Sequence, residues 1–261
     1  MTSTDSFERR PAMGSLAWGA GTTGRMTRVE AVGLVGNLMQ AQAREAVDAA
    51  RSALGLLRPC ETAIEALAPP QSALVHDALA LAEETHEAAL LHHSWRTYLF
   101  GVLFAQHERI TYDRSLLFAA AILHDLGLTR GHEPSLCKRC FALSGGERAQ
   151  RYLDACGHPP EVGRKVGDAI ALHLNGWVSR RLHGAEAQLV SRGAFCDLFG
   201  VGRRRVAAST LKAVLAAHPR AQVTEALQFE TAQHHRGTRP AVMTAMSGRK
   251  APRDPFIDLT T

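Results

Sequence analysis

Two imidazoles and two carboxylates, those of His93, His124, Asp125 and Asp197, lie in separate apolar segments that can pack against one another. Nitrogen and oxygen donors carried on rigid elements suit one divalent ion, with water in the positions the protein leaves open. The donor types fit Zn, Mn, Fe, Co or Ni and do not separate them. The chemistry such a site supports is attack by water, because a bound cation lowers the pKa of water and polarises the bond under attack. Any one of the 13 histidines taken alone is more simply a hydrogen-bonded core residue. Company is what sets these apart. Asp125 follows the apolar run Leu116 to Leu123, where a buried carboxylate is costly unless a cation or strong donors compensate it.

Other groups could assist. His173 shares a helical face with Val162, Val166 and Ile170, and near the attacking water it could shuttle a proton, since an unperturbed imidazole titrates near neutrality. Arg96 stands three residues beyond His93, where its guanidinium could grip an anionic substrate or pair with Asp125 or Asp197. Lys138 and Arg139 follow the His124–Asp125 pair as loop cations. Cys137 and Cys140 have the spacing of half a zinc knuckle, with His132 as a further donor, but no second such pair exists in the chain. Histidines 218, 234 and 235 are expected at the surface.

The elements that must position these groups read as helices. Patterning runs from about Val29 to Leu57 and resumes after Pro69 and Pro70, where Ser72 caps a helix to Ala89. Leu90 to Gln106 follows, with His93 in its interior. Asp113 caps the next helix, whose apolar run ends at His124 and Asp125, and Gly127 is its stop. Ser144-Gly145-Gly146-Glu147 has capping-box spacing, predicting a helix from there to Gly157. Pro159 and Pro160 open another, and Gln188 to Phe199 carries Asp197, with Gly193 and Ala194 leaving room beside its carboxylate. Residues 1–28, rich in Gly, Ser and Thr, read as a loose arm, 29–245 as one helical domain, and 246–261 as a tail.

Composition agrees with closely packed helices: 46% hydrophobic and 6% aromatic residues, with alanine and leucine throughout. The formal charge of +5 is spread among acidic residues. Its one dense cluster, Arg203 to Arg205, lacks interleaved aromatics and reads as a solvated helix start, so nucleic acid is not expected as a partner. Five irregularly spaced cysteines argue against a disulfide framework and for a reducing, cytoplasmic setting. No stretch is long and apolar enough for a membrane span.

Three stretches carry a specific resemblance: His92-His93-Ser94-Trp95-Arg96-Thr97-Tyr98-Leu99-Phe100-Gly101, Ala121-Ile122-Leu123-His124-Asp125-Leu126-Gly127, and Gly193-Ala194-Phe195-Cys196-Asp197. Together they resemble the HD-domain superfamily of metal-dependent phosphohydrolases, with greatest similarity to its cyanamide hydratase-like branch, over roughly residues 72–202. The resemblance implies an all-α domain in which His93, His124, Asp125 and Asp197 hold one divalent ion. His93 is preferred to His92 because it directly precedes the Ser-x-Arg stretch. Dinuclear relatives add two histidines, of which His173 resembles the second. No counterpart of the first stands around Phe141-Ala142-Leu143, and His132 and His158 are poorly placed, so one metal is expected, with a two-metal oxygenase-like site as the alternative. The implied activity is hydrolysis of a small-molecule substrate, phosphoester foremost, with nitrile hydration or a non-catalytic metal-binding module as alternatives. Self-association into a homo-oligomer is open.

Overall fold

The computed structural model describes residues 11–129, 138–227, 233–248 and 251–260, and every regular element among them is helical. Twelve α-helices follow in order: α1 Leu16–Thr22, α2 Arg28–Ala53, α3 Ala73–Thr85, α4 Ala88–Glu108, α5 Arg114–Ile122 and α6 Phe141–Ala155. The second half holds α7 Pro160–Leu172, α8 Arg180–Phe199, α9 Ala208–Ala217, α10 Val223–Ala226, α11 Arg239–Met246 and α12 Ile257–Thr260. No helix of the described residues is long and apolar enough to cross a membrane.

Several boundaries follow the predicted chemistry. The Ser72 hydroxyl accepts from the Val75 amide to start α3, and the Asp113 carboxylate accepts from the Ser115 and Leu116 amides to start α5. Pro160 opens α7 where its missing N–H costs nothing. Residues Leu117 to Leu123 are fully buried, as a run apolar on all sides requires. The core joins α3, α4, α5, α7 and α8 through Leu81, Tyr98, Phe100, Leu103, Phe104, Phe118, Ile170 and Leu189.

Three expectations change, each for a packing reason. Helix α6 begins at Phe141, so Ser144 is interior and its hydroxyl donates to the Cys140 carbonyl, while Glu147 pairs with Arg139. The glycines beside them serve close approach: a Cβ on Gly146 would lie 2.5 Å from the Gly167 carbonyl oxygen. Gly127 likewise makes room, since its Cβ would stand 2.2 Å from the Phe141 carbonyl oxygen. Within the expected arm, Ser15 caps α1 and Trp18 is buried, its indole N–H donating to Glu30.

Gly193 matters most for the site. A Cβ there would sit 2.1 Å from the Thr97 carbonyl oxygen, so α4 fills the space that the sequence suggested was left for a carboxylate. The backbones of α4 and α8 touch at this point, next to Arg96 and one turn from His93 on one helix and one turn from Asp197 on the other. Gly193→Ala is expected to force the helices apart and lower unfolding stability by about 1–3 kcal/mol, with weakened metal retention, as read by chemical denaturation and elemental analysis.

Candidate metal centre

Helix α4 carries His93 in its interior. Helix α5 stops at Ile122 and the chain passes into a 3-10 turn, Leu126–Leu128, leaving His124 and Asp125 at the junction. His173 occupies a matching break, just beyond the end of α7. All four are buried.

Each imidazole is fixed through Nδ1. That of His124 lies 2.8 Å from the Ala121 carbonyl and that of His173 lies 2.7 Å from the Ile170 carbonyl, oxygens in the last turns of the ending helices. A carbonyl only accepts, so both Nδ1 atoms carry the proton and both Nε2 atoms are bare. His93 follows the same logic, with Nδ1 2.6 Å from Asp197 Oδ2.

The bare nitrogens converge. His93 Nε2 is 3.2 Å from His124 Nε2, and Asp125 Oδ2 lies 3.4 Å from the first and 3.2 Å from the second. Asp125 Oδ2 is buried without a hydrogen-bond donor. Three acceptor atoms thus face one another, an arrangement that repels itself unless a positive charge stands between them. A cation about 2.0–2.1 Å from each nitrogen gives ligand-to-ligand edges of roughly 2.9–3.4 Å, which the separations match. His93, His124 and Asp125 therefore fit a divalent ion.

The field of the group says the same. Burial would raise the Asp125 pKa, but His124, His93 and His173 hold it well below the usual carboxylate range. Burial would lower that of His124, yet Asp125 outweighs it and the net shift is upward. Positive charge is drawn to this point. His173, with Nε2 3.7 Å from Asp125 Oδ1, is driven to about 3 by burial and by His124, so it stands neutral near pH 7. It acts there as an acceptor rather than as a group titrating near neutrality.

Asp197, expected as a fourth ligand, stands behind His93. Arg96 grips it in a fork, Nε to Oδ1 at 2.7 Å and Nη2 to Oδ2 at 2.9 Å, and Arg220 also donates to Oδ1. Burial opposes its charge, but Arg96 and His93 depress the pKa strongly. Its oxygens are turned to these donors, and the carboxylate sets the orientation of the His93 ring. Arg96, a catalytic candidate by spacing, is spent on Asp197 and on the His218 and Pro219 carbonyls, and it does not line the cavity.

That cavity opens over His93, His124, Asp125 and His173, with walls from Leu128, Phe141, Phe195, Leu198, Phe199, Leu227 and Met243. His234 also lines it, driven to about 4 by burial, whereas a surface position was expected. His218 stacks on Trp95 at 5.1 Å. Sequence reasoning missed Arg220, His234 and the apolar wall, which come from several distant elements with no local pattern to mark them. Arg139 forks onto Glu147. Arg203 to Arg205 pair with Asp258, Glu45, Asp48 and Glu108. Cys137 and His132 lie outside the described residues; Cys140 is a buried thiol beside the Arg239 guanidinium.

Residues 90–218 match the family model of the HD domain. No curated protein is significantly similar to the chain.

Two predictions follow from the asymmetry of the carboxylates and from the buried rings. Asp125→Ala is expected to abolish metal binding in titration calorimetry while helical content stays intact; Asp197→Ala, which strands the buried Arg96 charge, should instead lower stability by about 3–5 kcal/mol. Unchanged metal stoichiometry in Asp125→Ala would refute the ligand assignment. In the metal-free protein His173, His218 and His234 have folded pKa values of about 3, 4 and 4, below the ordinary 6.5 of the unfolded chain. The unfolded state then binds more protons, so stability should fall steadily as pH drops from about 6.5 toward 4, measured as thermal midpoint against pH.

Proposed function

We propose that the chain activates water at one divalent ion held by His93, His124 and Asp125, because residues 90–218 match the HD-domain family model and members of that superfamily are generally metal-dependent hydrolases. The substrate in this reading is a small uncharged molecule with an apolar part. One observation carries it: the cavity over the three ligands is walled by aliphatic and aromatic side chains, with no Lys or Arg among its described lining residues. A phosphoester would bring one or two negative charges into that enclosure, and burying them without paired donors is costly. Phosphoester cleavage, foremost by resemblance, thus yields to a neutral substrate such as a nitrile, the cyanamide hydratase-like alternative.

A divalent ion bound there supplies Lewis acidity and lowers the pKa of water toward neutrality. The chain's own residues do the rest. Asp197, itself pinned by Arg96 and Arg220, holds the His93 ring so that Nε2 faces the group. The Ala121 carbonyl does the same for His124. His173 keeps a bare Nε2 at the cavity floor, where it accepts a hydrogen bond from the attacking water and orients it. Phe141, Phe195 and Phe199 exclude bulk water and hold the apolar part of the substrate against these groups.

The test is turnover by metal-loaded protein of small nitriles, cyanamide included, beside a panel of phosphomonoesters and nucleotides. Turnover of the neutral set is expected, with kcat reduced roughly 10²–10⁴-fold in His173→Ala. Turnover confined to phosphoesters overturns the substrate class, and full metal occupancy without turnover of any compound overturns the enzymatic reading in favour of a binding module.

A further inference from the structure

Helix α2 is turned the unexpected way round. A surface helix ordinarily buries its apolar stripe and shows charges to water. Here the side facing the protein is polar: Asn37 donates to the Asn175 carbonyl, Arg44 lies over Trp177 at 3.5 Å, Glu45 pairs with Arg204 and accepts from the Gly202 amide, and Asp48 pairs with Arg205. Only Leu34, Ala41 and Asp48 of this helix are buried. The outward side bears Val29, Val32, Met39 and Val47, exposed by 81%, 72%, 62% and 57%, and Leu54 extends it just past the helix end.

That outward side has heptad order. Counting Val29 as position a, the a and d positions are Val29, Val32, Gly36, Met39, Ala43, Ala46, Ala50 and Ala53, while the e and g positions between them hold only Gly, Val, Gln and Ala. No charged residue occurs at any of these positions, so nothing repels an approaching helix. The buried Leu34, Ala41 and Asp48 are the f positions, on the far side of the helix from the a and d seam.

Size order along the stripe selects the occupant. Bulky side chains lie in the first half and alanines in the second. An antiparallel copy of the same helix matches Val29 with Ala53, Val32 with Ala50, Gly36 with Ala46 and Met39 with Ala43, each an a position against a d position. Every layer then joins a residue of one half to a small one of the other, and the two macrodipoles oppose. A parallel copy would set valine on valine at one end and alanine on alanine at the other, leaving the second half thin. An interfacial helix at a membrane turns a Lys- and Arg-rich polar side to the headgroups, whereas here the polar side faces the protein, with Glu45 and Asp48 paired and Arg44 laid on Trp177.

We propose that the outward face of α2 is the interface of a twofold homodimer in which α2 packs antiparallel to α2 of a second copy. With 26 residues the helix is about 39 Å long, and its 14 a, d, e and g residues form one continuous strip, a contact smaller than the roughly 20–30 residues a side of standard interfaces. The surface is self-complementary, as a twofold contact requires.

Sedimentation of the full chain at micromolar concentration should give a dimer, and the double variant Val32→Glu, Met39→Glu should give a monomer with unchanged helical content and metal binding. Register is read with Val32→Cys and Ala50→Cys. The antiparallel arrangement predicts a disulfide between the two only when both variants are mixed, above the background of the wild-type cysteines. A monomeric wild-type chain overturns the proposal, whether or not it then floats with vesicles or captures another protein. So does a dimer in which Val32→Cys cross-links to itself, or one that survives the double glutamate variant.

Discussion

Two carboxylates, Asp125 and Asp197, are taken out of water at the centre of a helical core, and the cost of desolvating them organises what surrounds them. They are compensated differently. Asp197 receives protein cations and a histidine N–H, which bind α4, α8 and the Arg220 segment into one unit. Asp125 is left with an oxygen that no donor reaches and with bare nitrogens for neighbours. The first carboxylate closes a structural network, and the second leaves an opening for a cation.

The close approach of α4 and α8 makes this division workable. Without a side chain at Gly193 the helices meet at the backbone, and the His93 ring is caught between Asp197 behind it and Asp125 in front. Two helix ends do similar work, each offering a last-turn carbonyl that fixes a histidine tautomer. Ring orientation here is set by backbone ends and one carboxylate, all outside the group that would touch a metal. This is the support that a metal site needs if its ligands are to keep their aim.

The wall above the group is the observation on which the proposed substrate class rests. A metal centre open to cations and solvent would favour charged substrates, whereas aromatic rings and aliphatic chains favour a neutral molecule whose one polar atom reaches the centre. The match of residues 90–218 to the HD-domain family model is the ground for the proposed reaction class, and the cavity lining is the ground for the proposed restriction within it.

The chain's own pattern was enough for the central helices α2 to α5 and α7, for the caps at Ser72 and Asp113, and for gathering His93, His124 and Asp125, because periodicity and a charge after an apolar run are local signals. It misread Gly127 as a stop, Gly145 and Gly146 as part of a capping box and Gly193 as spare room, since a glycine's neighbour across a helix contact leaves no trace nearby in the sequence. Which ring nitrogen faces inward, that Asp197 is held by Arg96 and Arg220, and that the cavity is apolar depend on residues over a hundred positions apart in some cases. The sequence alone determined the central helices and the donor types. The tertiary structure alone decided their partners, because a carboxylate's role is set by whichever donors the fold brings within 3 Å of it.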